Sequence, residues 1–268
     1  MGRERSRSSS PPRADAHQHY GRGSQAQGSG GGDPTLTIAM PAYNEEDGIE
    51  EAVREALKTL DRLEGGGEVL VVDDGSTDGT SAILEEIQRG DPRLRVHRHE
   101  ENLGIGGFNR SMVREARGEW IFFIGSDGEW DSNESLRFLA LARSEELDGV
   151  LGYRTEKLYS PWRRLVSFSF NHLTRLCFGV GFRDVGSIRL LRRSLFGPLR
   201  LYSRSAFLNA ERLLVGVRAG ARLAEVPVAH RPRLAGRGGG AKLRRVIAAV
   251  RDLLVTRWRW SRFETYYG

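Results

Sequence analysis

The sequence predicts an α/β fold in which a mainly parallel sheet carries helices on both faces. Segments of strand length and high apolar content alternate with segments of helical periodicity through the first half of the chain. Polar, acidic or glycine-rich turns separate these segments, as is typical of strand–helix units. With 39% hydrophobic and 28% charged residues, the composition is that of an ordinary globular protein and excludes collagen-like or fully disordered chains.

The elements of the first half follow in order. Leu36, Ile38 and Met40 alternate with smaller residues, which predicts a first strand. Apolar residues at helical spacing then predict a helix that starts within 44–47 and ends before the glycines at 65–67. The remaining predicted elements are strands over 68–72, 94–97 and 120–124 and helices over 78–88 and 104–117.

The second half is less regular. Helical periodicity predicts helices over 162–178 and 207–219, and short apolar segments predict strands over 188–191 and 223–228. A glycine-rich loop over 236–240 precedes a basic helix that ends near Trp260. Residues 1–33 are too poor in apolar side chains to bury surface, so we expect a disordered tail there. The predicted division is a tail over 1–33, an α/β domain over 34–235, and the loop with the basic C-terminal helix over 236–268.

Basic residues are concentrated at the C-terminal end. The net charge is +6, yet residues 231–268 alone contain ten basic and two acidic residues. We therefore expect a local anionic partner, such as an anionic membrane surface, and no nucleic acid. No segment reaches the roughly 18–20 apolar residues of a membrane span, and no secretory signal is present, so a cytoplasmic, peripherally membrane-associated protein without a transmembrane segment is expected. The single Cys177 excludes an internal disulfide.

Polar clusters follow three predicted strands, at 43–45, 73–74 and 126–129. Ligands of parallel sheets bind beyond the carboxyl ends of the strands, so these clusters mark a candidate site. The first turn lacks the glycines of a dinucleotide-binding motif, and no Walker motif is present, which argues against a nicotinamide oxidoreductase or a P-loop enzyme. Carboxylates in such places hold a divalent cation that binds phosphate, or they bind a ribose or a base.

Several motifs resemble those of the family 2 glycosyltransferases, which have the Rossmann-like GT-A fold of nucleotide-diphospho-sugar transferases. In the first half these are MPAYNEE at 40–46, VVDDGSTDGT at 71–80 and NLG at 102–104. In the second half, DVGSIRL at 184–190, NAE at 209–211 and EVPVAHRPR at 225–233 are similar to dolichyl- and polyprenyl-phosphate sugar transferases. The resemblance runs from about Leu36 to Leu254. The Gln-x-x-Arg-Trp motif of processive polysaccharide synthases is not found.

The resemblance implies a nucleotide-sugar site with a divalent metal, Mg²⁺ or Mn²⁺. Asp127 is implied as the main metal ligand and a catalytic residue, with Glu129 beside it. Arg233 is implied as a second catalytic residue that contacts the donor diphosphate from a mobile loop, and Tyr43 as the side chain that stacks on the base. The donor-binding residues implied in this way are Pro41, Tyr43, Asn44, Glu45, Val72, Asp73, Asp74, Ser126, Asn209, Arg233 and Lys242. Arg163 and Arg164, on the helix over 162–178, either form a solvated face or contact the acceptor's phosphate.

Two departures from the family pattern stand out. The usual Asp-x-Asp of the metal strand reads Gly125-Ser126-Asp127, so one carboxylate is missing. Relatives commonly have Ser-Lys about six residues after the arginine that corresponds to Arg233. Here glycines and an alanine intervene, so either the loop is longer and Lys242 still reaches the site, or Arg237 takes its place.

The implied activity is transfer of a sugar, with inversion, from a nucleotide-diphosphate sugar to a polyprenyl phosphate. Such an acceptor is already anionic, so it needs no strong general base, and the sequence shows no obvious one. One alternative is a transferase of the same fold that acts on a hydroxyl of a glycan or protein. Another is a degenerate protein that binds a nucleotide sugar without turnover, which the missing first aspartate suggests.

Overall fold

The computed structural model describes residues 18–20, 34–155, 161–232, 243–262 and 266; for 18–20 and 161–165 it describes the backbone alone. In these ranges the strands are β1 (Gln18–Tyr20), β2 (Leu36–Ala42), β3 (Gly67–Asp73), β4 (Leu94–Arg98), β5 (Trp120–Phe123), β6 (Gly149–Arg154), β7 (Arg189–Arg192) and β8 (Leu223–Val228). The helices are α1 (Ile49–Leu60), α2 (Thr80–Gly90), α3 (Gly104–Glu115), α4 (Glu134–Ser144), α5 (Pro161–Phe178), α6 (Arg193–Phe196), α7 (Phe207–Arg218) and α8 (Leu243–Arg259).

All the described strands belong to one sheet, in the order β1-β8-β6-β7-β5-β2-β3-β4. The pairs among β5, β2, β3 and β4 are parallel, and so is the pair of β6 with β8. Only β7, which pairs with β5 and β6, and β1, on the edge of β8, run antiparallel to their neighbours in the described sheet. The mainly parallel α/β fold predicted from the sequence is confirmed.

Two apolar layers cover the two faces of the sheet, because alternate strand residues point to opposite faces. Leu36, Ile38 and Met40 of β2 pack with the buried faces of α1, α2 and α4. Ala39 of the same strand packs in the other layer with α3, α7 and α8. The helices therefore lie on both faces, as the alternating sequence pattern predicts, and they leave the ends of the strands for the loops.

The observed elements differ from the predicted ones mainly at the start of α1, and the helices α4 and α6 and the strand β6 are additional. Helix α1 begins at Ile49, not within 44–47, because Asn44 adopts a left-handed backbone conformation (φ 53°) in the preceding loop. Helix α4 and strand β6 were not predicted at all. The buried face of α4 includes the polar Ser135, and two glycines interrupt the short apolar segment of β6, so neither gives a clear periodic signal.

Residues 18–20 differ from the predicted tail. They form β1, which pairs antiparallel with residues 223–225 of β8. An edge strand presents unpaired backbone groups, and a polar segment can satisfy them without burying apolar side chains. The rest of the predicted tail lies outside the described residues.

Helix α8 confirms the predicted basic helix and is tied to the fold by a buried carboxylate. Asp252 accepts hydrogen bonds from the backbone N–H groups of Arg204 and Ser205, each at 2.9 Å, just before α7. Burial by itself would raise the pKa of Asp252, but these two bonds, together with hydrogen bonds from the Ser205 and Arg251 side chains, hold it below its usual value. Among the described helices, none combines the length and the apolar content that crossing a membrane requires.

Candidate active site

The loops after β2 and β3 form one hydrogen-bonded unit at the carboxyl edge of the sheet. The amide of Asn44 donates to Ser76 Oγ at 3.0 Å, and Asn44 Oδ1 accepts from the amide of Thr77 at 2.8 Å. The Glu46 carboxylate accepts from the amide of Gly79 at 2.7 Å. The first two sequence motifs are therefore partners in the fold, and Asn44 fills a structural role there.

Asp73 and Asp74 are buried and anchor the turns around them. Asp73 accepts from the amide of Ser76 at 2.9 Å and from Ser81 Oγ at 2.5 Å. Asp74 accepts from the amides of Leu103 (2.9 Å) and Gly104 (2.8 Å). Those amides open α3, so Asp74 stabilises the positive end of that helix dipole.

A histidine completes this anchor and explains the third motif. His99 Nδ1 lies 2.6 Å from Asp74 Oδ1, and its Nε2 lies 2.8 Å from Ser111 Oγ on α3. Gly104 has a φ of +68°, which favours glycine, at the point where the chain turns onto Asp74. The residues at 102–104 thus serve to bring α3 onto the buried carboxylate.

The other predicted donor-binding residues differ in exposure. Tyr43 exposes 46% of its surface at this edge, so its ring can meet a ligand. Val72 is fully buried, which leaves only its backbone for such a contact, and Ser126 is 5% exposed. Pro41 lines the cavity described below, and the amide of Glu45 donates to Thr80 Oγ1 at 2.9 Å.

Asp127 and Glu129 lie in the loop after β5, against the loop after β8. The amide of Glu129 donates to Asp127 Oδ1 at 3.3 Å. His230 Nε2 lies 3.2 Å from Glu129 Oε2, and the amide of Arg231 donates to the Glu129 carbonyl at 2.8 Å. His230 was not predicted as a site residue. Its position directly after β8, within the EVPVAHRPR motif, is the sequence signal that could have found it.

The two carboxylates fit a metal that binds together with a phosphate-containing ligand. In the part of the chain that the structure describes, no cluster of three or more His, Cys, Asp or Glu side chains could hold a metal ion. Mg²⁺ is commonly bound by one or two carboxylates, with substrate phosphates and water completing its shell. At Gly125, where the family has its first aspartate, an added Cβ would lie 2.9 Å from Asp127 Oδ1, so Asp127 occupies the space beside that position.

A cavity of about 800 Å³ extends from these carboxylates into the second half of the fold. Its polar wall includes Asp127, Glu129, Arg154, Asp184, Arg189 and Asn209. Its apolar wall includes Phe108, Met112, Phe170, Leu173, Val246 and Ala249, from α3, α5 and α8. The cavity therefore has a charged end and a hydrocarbon-like wall.

Arg154 and Asp184 form a buried ion pair in the polar wall. Arg154 Nε lies 2.6 Å from Asp184 Oδ2 and Nη2 lies 2.8 Å from Asp184 Oδ1, a bidentate geometry. Their side chains are 8% and 4% exposed. Neither residue was predicted for the site. Arg154 ends β6, a strand that the sequence pattern missed, and Asp184 opens the DVGSIRL motif.

The remaining predicted site residues are placed as follows. Asn209 lines the cavity, and its Oδ1 accepts from Arg189 Nη2 at 2.7 Å. Arg163 and Arg164 lie in α5, but their side chains are outside the described structure. Arg233, Lys242 and the predicted glycine-rich loop lie outside the described residues.

Comparison with known proteins identifies sugar transferases. The sequence profile described as "Glycosyl transferase family 2" matches residues 37–207, more than half of the chain. Glycosyltransferase AglD of Haloferax volcanii is 30% identical over 228 residues, which cover 82% of this chain and 35% of that protein. Dodecaprenyl-phosphate galacturonate synthase of Rhizobium johnstonii is 26% identical over 202 residues, which cover 74% of this chain and 59% of that protein. The chain thus spans about a third to three fifths of these curated relatives.

Solved structures share the fold. Glucosyl-3-phosphoglycerate synthase from Mycobacterium tuberculosis, in complex with Mn²⁺, uridine-diphosphate-glucose and phosphoglyceric acid, superposes with a TM-score of 0.63 at 20% identity. The match covers 84% of this chain and 80% of that one. S. aureus TarS superposes with a TM-score of 0.53 at 20% identity, over 73% of this chain and 59% of that one. At these identities the likeness establishes the fold alone.

Proposed function

Because the chain belongs to glycosyl transferase family 2, we propose that it transfers a sugar, with inversion, from a nucleotide-diphosphate sugar to a polyprenyl phosphate. The observation that carries the proposal is the cavity of about 800 Å³, which joins a charged end at Asp127 and Glu129 to apolar walls on α3, α5 and α8. A polyprenyl phosphate has the same division into an anionic head and a hydrocarbon chain. The name of the Rhizobium johnstonii relative, a dodecaprenyl-phosphate sugar synthase, supports this acceptor class.

In this proposal the donor lies across the carboxyl ends of β2, β3 and β5. Tyr43 stacks on the base, and Asp127 and Glu129 hold Mg²⁺ or Mn²⁺ against the diphosphate. When bound, the cation neutralises charge that develops on the departing diphosphate. The Mn²⁺ and uridine-diphosphate-glucose in the glucosyl-3-phosphoglycerate synthase structure support a metal-assisted donor site. Arg233 and Lys242 remain proposed diphosphate contacts, and Arg163 and Arg164 proposed acceptor contacts.

A phosphate acceptor, which is already anionic, and a neutral hydroxyl acceptor need different groups in the site. A hydroxyl nucleophile needs a general base within hydrogen-bond reach, whereas an anionic phosphate does not. Asp184 is a carboxylate of the cavity wall, and both of its oxygens already accept hydrogen bonds from Arg154, at 2.6 and 2.8 Å. This arrangement supports a phosphate acceptor over a hydroxyl on a glycan or protein.

A transfer assay tests the proposal. Labelled nucleotide sugars would be supplied with Mn²⁺ and either a polyprenyl phosphate or the matching polyprenol, and label would be followed into the organic phase. We expect label to move into the organic phase only with the phosphate, and excess chelator to stop it. Label that moves equally to the polyprenol would point to a hydroxyl acceptor. Nucleotide-sugar binding without transfer or hydrolysis would point to a degenerate binding protein.

Helix α8 carries an apolar stripe on its exposed face. Leu243, Ile247, Leu254 and Trp258 are between 57% and 66% exposed, and their spacing places them along one side of the helix. Exposed arginines, among them Arg244 and Arg257, lie between and beside them. Apolar side chains flanked by arginines are typical of helices that lie in a membrane interface. This pattern supports the proposed peripheral association with anionic membranes.

We expect the protein to sediment with anionic vesicles at low salt and much less with neutral ones. The double variant Arg244→Gln with Arg257→Gln should weaken that binding roughly thirtyfold, because each basic residue near an anionic surface contributes about 1 kcal/mol. Arg54→Gln with Arg89→Gln removes the same charge from α1 and α2, on the opposite face of the sheet, and should not change it. Equal binding to both kinds of vesicle, or an equal loss in both double variants, would rule out α8 as the contact.

A further inference from the structure

Arg189 is a buried cation whose hydrogen-bond partners are all neutral. It is 7% exposed, and its Nη2 donates to Asn109 Oδ1 at 3.2 Å and to Asn209 Oδ1 at 2.7 Å. Nη1 donates to the Ser187 carbonyl at 3.4 Å, and within the described residues Nε has no acceptor. No described carboxylate forms an ion pair with this arginine. Burial and the charge of Arg212 lower the pKa of Arg189 to about 9.

A second buried arginine adds to this positive charge. Arg212 is 2% exposed, and burial, with the charge of Arg110, lowers its pKa to about 10. The neighbouring Glu211 offsets part of this charge, but its oxygens already accept from the amides of Tyr202 (3.1 Å) and Ser203 (2.9 Å). The interior around Arg189 therefore carries more positive than negative charge, which is costly unless an anion enters.

Arg189 lies in the wall of the same cavity as the proposed metal ligands. Strand β7 runs antiparallel to β5, so Arg189, its first residue, pairs with Phe123, the last residue of β5. The Arg189 guanidinium lies 4.6 Å from the centre of the Phe123 ring. Asp127 follows Phe123 by four residues, and both Asp127 and Arg189 line the cavity. The carboxylate end and the uncompensated arginine are thus two parts of one cavity wall.

We propose that Arg189, oriented by Asn109 and Asn209, binds the phosphate group of the acceptor. This inference rests on the proposed function, because the acceptor must be a phosphate for the site to serve it. The donor's diphosphate offers the same chemistry, but the proposed function already gives it a cation at Asp127 and Glu129. The apolar walls of the cavity suit the hydrocarbon that would follow the acceptor phosphate. Asn209, implied above as a donor-binding residue, here positions an acceptor-binding arginine.

The test compares binding of four probes by the wild type, Arg189→Met and Arg189→Lys. The probes are farnesyl phosphate, farnesol, inorganic phosphate, and a nucleoside diphosphate with Mn²⁺, with UDP and GDP both tried. We expect wild type to bind farnesyl phosphate at least tenfold more tightly than farnesol, and Arg189→Met to lose that difference. Arg189→Lys, which keeps the charge but not the planar fork, should fall between them. Arg62→Met removes an arginine outside the cavity and should behave as wild type.

The outcomes separate this site from its alternatives. Equal wild-type affinity for farnesol and farnesyl phosphate would overturn the proposal, even if Arg189→Met fails to fold. Loss of nucleoside diphosphate binding in Arg189→Met, with farnesyl phosphate unaffected, would assign the arginine to the donor and also overturn it. Farnesyl phosphate binding that depends on Arg189, without any transfer of sugar to a polyprenyl phosphate, would support the site and contradict the proposed function instead.

Discussion

Replacing Asp127 by asparagine is expected to lower sugar transfer at least tenfold while leaving the fold intact. Asp127 lines the charged end of the cavity, and Gly125 supplies no second carboxylate where the family pattern has one. Among the described residues, the proposed metal site would therefore rely on Asp127 and Glu129 for its carboxylate ligands. A tenfold loss corresponds to about 1.4 kcal/mol of transition-state stabilisation, a modest amount for removing a charged ligand from a divalent cation.

The measurement is kcat/KM as a function of Mn²⁺ and Mg²⁺ concentration. Asp131→Asn is the matched control, since it makes the same change in the same loop at a carboxylate that pairs with Arg231 at the surface. We expect the control to need no more metal than the wild type. Wild-type transfer that continues unchanged in excess chelator would show that no metal is needed, and full activity of Asp127→Asn would remove Asp127 from the site.

Removing the carboxylate of the buried ion pair is expected to destabilise the protein. Asp184→Asn leaves the Arg154 guanidinium buried without its bidentate carboxylate, so the free energy of unfolding should fall by about 3 kcal/mol. Transfer should fall as well, because Arg154 lines the cavity and loses the group that fixes its orientation. Urea unfolding of the wild type and the variant measures the first effect, and the transfer assay measures the second.

A double variant tests whether the stability and the activity of the protein depend on the charges of this ion pair. Arg154→Met with Asp184→Leu removes both charges and should recover most of the lost unfolding free energy, because an apolar pair can replace a buried ion pair at little cost. It should not recover transfer, since the cavity wall then lacks these two charged side chains. If the stability losses of Arg154→Met and of Asp184→Leu, each made alone, add up to the loss in the double variant, the two side chains do not stabilise each other as their 2.6 and 2.8 Å contacts indicate.

The elements that could be predicted from the sequence are those whose apolar periodicity is uninterrupted. β2, β3, α2 and β5 belong to this group, as does α8, whose basic residues all lie on the exposed side or near its ends. β6 contains two glycines and α4 buries a serine, so neither sequence shows a clear apolar periodicity. Each segment forms its element by packing against the neighbouring strands and helices. Tertiary packing decided those two elements, and local preference did not.

The candidate site could be located from the sequence but not fully assigned. Carboxylates after parallel strands must meet at one edge, and Asp74, Asp127 and Glu129 do lie at that edge. Which carboxylates anchor turns and which line the cavity depends on contacts such as that between Asp74 and the start of α3, thirty residues away. Arg154 and Asp184 are 30 residues apart in sequence and Arg189 and Asn109 are 80 apart, so no local spacing reveals either pair.

Gly125 has a consequence for how this metal motif can change. An aspartate placed there would bring its Cβ to 2.9 Å from Asp127 Oδ1, so Asp127 must rotate away from the Glu129 amide to which it is bonded. The two positions are therefore epistatic. The effect of restoring the second carboxylate of the family pattern would depend on which rotamer Asp127 then adopts. The chain could therefore regain its second aspartate by one substitution, with Asp127 turning its flexible carboxylate aside, and the contribution of each carboxylate would then depend on the other.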